Sequence, residues 1–219
     1  PCTISDIKAY RPESNSIGAG QVLQCPYSAE KARIVIREMA DTLALELVEK
    51  GLATDQLTLT VGYDIENIQD PERLSRYQGE IKKDRYGRFV PKHSHGTENI
   101  GKYTSSTRKI QNAADALFHR IVAPGLLIRR LNITANRVLP EREVPEADAC
   151  EQMDLFVDYE IMQEEKRREE AEQVREKKIQ STVLDIKRKF GKNAILKGTA
   201  LEDGATSRER NQKIGGHQA

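Results

Sequence analysis

Gln152, Met153, Asp154, Leu155 and Phe156 place one side-chain amide and a Leu-Phe pair inside a stretch, residues 141–160, that holds eight carboxylates and one arginine. A segment that charged cannot build a core of its own. Two adjacent large apolar side chains within it either staple the segment onto the preceding domain or fill a partner's pocket as an extended peptide. A second chemically capable group is the alternation Arg130, Asn132, Thr134 and Asn136. A third is Thr104, Ser106 and Arg108, which share one side if residues 103–110 form a strand; a one-residue shift would offer Ser105, Thr107 and Lys109 instead. Hydroxyls, amides and guanidinium groups in a row suit phosphate oxygens, although the same residues also make an ordinary solvated sheet face.

Other candidates carry less. His93-x-His95 has no cysteine or third histidine at ligand spacing, so no metal is assigned to it. His119 sits between Phe118 and Arg120 on a helix, and Cys25 precedes Pro26 with no activating base in view. Cys2, Cys25 and Cys150 form no close pair, which fits a reducing cytosol. No catalytic residue is assigned, and no cofactor is expected in this chain.

The elements that must position these groups follow from periodicity. A short strand is expected at Gly20–Gln24. Ser28 then caps a helix with Ala32, Val35, Ile36, Met39, Leu43 and Leu47 at helical spacing, stopped by Gly51. Leu57, Leu59, Val61 and Tyr63 alternate with Thr58, Thr60 and Gly62 as a half-buried strand. Residues 64–102 lose that rhythm and read as an inserted excursion with a hairpin around Ile81–Val90. After the strand at 103–110, Asn112 would cap a helix with Ala114, Leu117, Phe118 and Ile121 on one face. Leu127–Val138 is the last strand, with Leu131, Ile133 and Ala135 opposite the polar alternation. The sum is an α+β domain of β-α-β-β-α-β order: a four-stranded sheet with two helices on one face and the other face open. A helical, partly flexible C-terminal extension follows.

Five segments result: a connector at 1–15, the domain at 16–140, an acidic linker at 141–159, a charged helix at 160–190 and a flexible tail at 191–219. Residues 157–190 hold nine acids and nine bases, with one apolar stripe, Ile179, Val183, Ile186 and Phe190. The net charge of +1 conceals segregation, since residues 104–139 carry six Lys/Arg against one acid, Asp115. No apolar run approaches the roughly 20 residues of a membrane span, so a cytoplasmic protein is expected.

Several of these features together resemble the C-terminal part of a bacterial Y-family translesion DNA polymerase. Ser16-Ile17-Gly18 looks like the lead-in to that family's little-finger domain, with Asn15 where lysine is usual. The element order is that domain's, and Gln152–Phe156 resembles the pentapeptide by which bacterial polymerases and repair proteins bind the sliding clamp. Lys192–Gly198, Gly204–Arg210 and Ile214–His217 resemble the C-terminus of a branch known from Gram-positive bacteria. The resemblance implies DNA repair and translesion synthesis, damaged template–primer DNA and the sliding clamp as partners, an SOS-response setting, and a recombinase filament as a further contact. It implies that Ser16, Thr104, Ser106, Arg108, Arg130, Asn132, Thr134 and Asn136 meet the DNA backbone. The family's carboxylates for magnesium would lie in a palm upstream of Pro1, so this chain alone is expected not to polymerise. A non-catalytic clamp-tethered repair adaptor and an RNA-binding module of ferredoxin-like topology remain open, the latter disfavoured because the expected sheet face lacks stacking aromatics.

Overall fold

Four strands and two long helices build the domain in the computed structural model, which describes residues 3–5, 15–84, 86–145, 159–214 and 217–218. The strands are β1 (Ile17–Tyr27), β2 (Leu52–Tyr63), β3 (Ser94–Thr104) and β4 (Ile128–Asn136); the helices are α1 (Ala29–Lys50) and α2 (Thr107–Ile121). The sheet order is β1-β4-β2-β3 with every neighbouring pair antiparallel. Hence β1 runs parallel to β2 with β4 between them, and β3 runs parallel to β4 with β2 between them. These are two interleaved split β-α-β units. Leu139–Pro140 add a short pairing at the start of β2.

Local chemistry sets the helix ends. Ser28 caps α1 by accepting from the Lys31 amide, and Gly51 closes it at φ 64°, its N–H reaching the Leu47 and Val48 carbonyls. The apolar stripe expected on α1 is buried as read, Ala32, Val35, Ile36, Met39, Leu43 and Leu47 all facing the sheet. The sheet answers with Leu57, Leu59 and Val61 from β2 and Ile128, Leu131, Ile133 and Ala135 from β4. Each of the larger side chains contributes roughly 1.5–3 kcal/mol on burial.

Element boundaries differ from those expected on β1, β3 and α2. β1 extends well beyond Gly20–Gln24 in both directions. The third strand ends at Thr104 rather than Ile110, and α2 is capped by Ser106, not Asn112: the Ser106 hydroxyl accepts from the Lys109 amide at 3.3 Å. A run of hydroxyl residues satisfies strand preference and capping equally well, and here capping prevails. β3 also begins inside the segment read as an excursion, whose remainder comprises two short helices, Glu66–Gln69 and Pro71–Arg76, and a hairpin pairing Ile81–Lys83 with Phe89–Pro91.

Beyond the domain, α3 (Tyr159–Phe190) is a single helix. Residues 197–210, within the segment expected to be a flexible tail, lie along α1. Lys197 pairs with Asp41 at 2.6 Å and Lys31 with Asp203 at 2.7 Å. The Thr206 and Ser207 amides donate to buried Glu38 at 2.8 and 3.0 Å. Arg210 donates to Gln21 and Thr42, and burial lowers its guanidinium pKa while Glu38 opposes that. These contacts are polar, so hydrophobic periodicity could not announce them.

α1 and α2 are tied on their outer side by Asp115, which accepts from Arg33 Nε (3.1 Å) and Nη2 (3.2 Å) and from Arg37 Nε (2.7 Å). Burial alone would raise this carboxyl, but the bonds from Arg33 and Arg37 outweigh it and hold it below its ordinary 3.8. Its stabilisation is therefore complete above the unfolded-state pKa and is lost as pH falls through the folded one. Both arginines are more than a third exposed, so screening discounts the contribution. Asp115→Asn should lower unfolding free energy by about 1–2 kcal/mol at neutral pH, the difference from the natural protein closing as pH falls through the depressed folded-state pKa. Denaturant titrations across that range provide the check; a difference that persists into acid would mean the residue acts by packing and not by charge.

Candidate nucleic-acid interface

The face of the sheet turned away from α1 and α2 is built by register. Across it, Gly18, Thr134, Thr58 and Thr97 form one row, and Gly20, Asn132, Thr60 and His95 the next. Asn136, Gln56 and Asn99 lie on one side of these rows, and Val22, Arg130 and Gly62 on the other. None of these positions carries a carboxylate. The neighbouring acid Glu98 belongs to the opposite alternation, where it pairs with Arg120 of α2 at 2.5 Å.

Lateral hydrogen bonds hold the surface in one arrangement. Gln56 Nε2 donates to Asn99 at 2.9 Å, and Asn136 Nδ2 donates to Thr58 Oγ1 at 2.6 Å. The Thr58 and Thr97 hydroxyls meet at 3.2 Å, and Thr60 Oγ1 and His95 Nδ1 at 2.9 Å. Glycines keep the surface low. A Cβ on Gly18 would lie 2.7 Å from Thr134 Oγ1, and one on Gly62 would lie 3.2 Å from Arg130 Cβ. The result is a flat band of hydroxyls, amides and one imidazole with an exposed arginine at one end. Such groups can donate to phosphate oxygens without reading bases.

The expected site residues divide. Arg130, Asn132, Thr134 and Asn136 share this open face. Ser16 lies exposed just ahead of β1. Thr104, Ser106 and Arg108 lie apart from these rows: Thr104 pairs with Thr54 beyond a bulge as the last residue of β3, and the chain then leaves the sheet. Thr104 Oγ1 accepts from the Ser106 amide at 3.0 Å. The Ser106 hydroxyl and the Arg108 amide both donate to Glu176 of α3, at 2.6 and 3.0 Å. The Arg108 side chain pairs with Glu172 at 2.9 Å, and Lys109 with Glu169 at 2.6 Å. Gln56, Thr58, Thr60, His95, Thr97 and Asn99 are open-face residues the sequence reading left out. Their signal was present as His95-x-Thr97-x-Asn99, a period of two broken in appearance by Gly96. That glycine faces α2, where a Cβ would lie 2.7 Å from Ile121 Cγ2.

The charge excess of residues 104–139 is mostly spent within the molecule. Arg108, Lys109, Arg120 and Arg137 have acidic partners within 3 Å, and Arg129 lies 3.7 Å from Asp64. Among the described residues Arg130 alone of the six forms no ion pair. No three His, Cys, Asp or Glu side chains converge as a metal site among the described residues, and no helix there is long and apolar enough to cross a membrane. Gln152, Met153, Asp154, Leu155 and Phe156 lie outside the described residues.

α3 docks by polar contacts and not by its expected stripe. Gln180 is buried and donates to the Ser105 carbonyl and to Thr107 Oγ1, each at 2.9 Å. Glu141, which accepts from Ser105 Oγ, also pairs with Lys177. Val183 and Ile186 are half-buried, whereas Ile179 and Phe190 are 54% and 67% exposed. A carboxylate at the first turn of α2 also suits the helix dipole. Glu176→Ala combined with Gln180→Ala should free α3: amides at the start of α2 and along residues 169–188 should lose hydrogen-exchange protection while β2 and β4 keep theirs. Unchanged protection would show that the half-buried aliphatic contacts suffice.

Compared with known proteins, residues 14–155 match the model of the impB/mucB/samB family C-terminal domain. No curated protein matches the chain.

Proposed function

We propose, for a chain that belongs to the impB/mucB/samB family through its C-terminal domain, the C-terminal region of Y-family DNA polymerases, that the open sheet face holds the sugar–phosphate backbone of template–primer duplex during synthesis past damaged bases. The observation that carries this reading is the carboxylate-free polar face, pre-ordered by its own hydrogen bonds and ending in the unpaired Arg130. A damaged base costs such a surface no contact, because the groups it offers address phosphate and sugar. Catalysis and its magnesium belong, in this proposal, to a palm outside these residues. No carboxylate cluster among the described residues offers a donor set for the metal.

With one unpaired arginine, affinity should be modest and its salt dependence shallow, about 0.9 in log–log slope for each phosphate neutralised. Arg130→Ala should weaken duplex binding by a similar factor for every sequence and reduce that slope by about one. Fluorescence anisotropy over a salt series is the measurement. Sequence-selective loss, or a slope the substitution leaves alone, would mean the face does not grip backbone.

The second half of the proposal is that Gln152–Phe156 tethers the domain to the sliding clamp, with Leu155 and Phe156 in an apolar pocket of the clamp and Gln152 supplying directional hydrogen bonds. Burying each apolar side chain should contribute roughly 1.5–3 kcal/mol. Leu155→Ala with Phe156→Ala should abolish clamp binding and leave duplex affinity unchanged. Titration of both proteins against purified clamp tests this, and equal binding would place the anchor elsewhere, with Ile179–Phe190 next to be substituted. A recombinase contact through residues beyond α3 remains part of the same proposal.

A further inference from the structure

The hairpin Ile81–Pro91 is not needed to close the sheet. It extends beyond the end of β2 and the start of β3, its two three-residue strands pairing only with each other. Its base is fixed: Pro91 is buried, the Lys92 amide donates to the Glu80 carbonyl at 2.8 Å, and Tyr77 Oη donates to that same carbonyl at 3.1 Å. Described residues on both sides of its tip are tied together as well. The Asp84 carboxylate accepts from the Tyr86 amide (2.8 Å), the Arg88 amide (3.0 Å) and Arg88 Nε (2.8 Å), with Gly87 at φ 79° completing the turn. So short a ribbon would be marginal without such ties.

This braced element presents what a fold would ordinarily hide. Tyr86 is 68% exposed, Phe89 55% and Ile81 41%. Each ring carries a cation: Lys83 Nζ lies 5.1 Å from the Phe89 centroid and Arg88 Cζ 5.3 Å from that of Tyr86. Residues 80–92 hold five Lys/Arg against two acids; Glu80 pairs with Lys82 and Lys92 and Asp84 with Arg88, and among the described residues Lys83 has no acidic partner. Solvent-facing rings beside an ammonium group match one ligand chemistry well, a strand whose unpaired bases stack on the rings while a phosphate meets Lys83. Duplex DNA cannot use the rings without unstacking, and an acidic peptide would use the charges but leave the rings idle.

We infer that the 81–91 hairpin is a binding element for single-stranded DNA with exposed bases, Tyr86 and Phe89 acting as the stacking platform and Lys83 as the phosphate contact. The inference rests on the DNA-holding reading for its choice of DNA, and it adds a single-stranded site at the end of the sheet where Arg130 lies.

The test uses the full chain with single-stranded and duplex oligonucleotides of equal length. Tyr86→Ala with Phe89→Ala should weaken single-strand binding about tenfold or more and leave duplex affinity within about twofold, whereas Arg130→Ala should weaken the duplex. If duplex binding fails in every protein while the hairpin still governs single-strand binding, the backbone-grip reading falls and this one stands. Equal loss on both DNAs, no loss on either, tighter binding of the matching RNA, or displacement of the DNA by polyglutamate at equal charge would overturn it. A second variant guards against misfolding. The chain contains no tryptophan, so Tyr86→Trp supplies a single reporter. Its emission should be quenched by the single-stranded oligonucleotide and unaffected by an abasic strand of the same length; equal quenching by both would remove stacking from the account.

Discussion

Two long helices can share one face of a four-stranded sheet only if their polar flanks are reconciled where they meet, and Asp115 does this. Its carboxylate takes hydrogen bonds from Arg33 and Arg37 across the helix pair, so charges that would otherwise compete for water sit over the core. With α1 and α2 committed to one side, every alternate residue of β2 and β4 is committed to the other, because a strand's side chains alternate strictly. The openness of the polar face is thus a consequence of how the helices pair, and a one-residue slip in either inner strand would turn Leu59 or Ile133 into it.

The disposition of charge follows a similar economy. The excess of cations in residues 104–139 suggests a basic surface when read along the chain, but folding pairs most of them. α3 supplies Glu169, Glu172 and Glu176 to Lys109, Arg108 and the first turn of α2. β3 supplies Glu98 to Arg120, and β2 supplies Asp55 to Arg137. What remains for a polyanion is distributed differently from the sequence density: Arg130 on the sheet and Lys83 on the hairpin beyond it, since Lys82 and Lys92 pair with Glu80 and Arg88 with Asp84. Long-range attraction is correspondingly mild at this net charge, and contact must be won by fit.

How much of this was legible depends on which force set each feature. α1 was readable to its caps because burial, the Ser28 cap and the Gly51 stop all point one way. The alternation of Leu131, Ile133 and Ala135 against Asn132, Thr134 and Asn136 was readable for the same reason. At Ser105-Ser106-Thr107 two local preferences competed, and the decision came from elsewhere, since Gln180 and Glu176 of α3 complete the hydrogen bonding of a helix start at that point. Gly96 misled because a glycine in a strand reads as punctuation, whereas here it admits Leu117 and Ile121 of α2 against β3. The docking of α3 and of the segment on α1 was illegible in principle to a hydrophobic pattern, being made by Gln180, Glu38, Lys197 and Arg210.

That polar docking bears on the proposed clamp peptide more than any property of the peptide itself. Glu141 is held by Ser105 and by Lys177 of α3, and α3 is held from Glu169 to Arg188, where Arg188 reaches Glu49 of α1 at 3.1 Å. Glu141 ahead of the proposed peptide and α3 after it are therefore both tied to the same domain. A segment closed at both ends has already given up much of the freedom a dangling tail keeps, and the loop-closure term grows only slowly with length. Ordering such a segment on a partner costs less than ordering a free one. If duplex lies on the sheet as proposed, the partner's pocket would be sampled at the high local concentration of a tethered peptide. In the proposed arrangement, the contacts between α3 and the domain would decide whether the peptide is tethered from both ends or from Pro145 alone, without touching either binding surface.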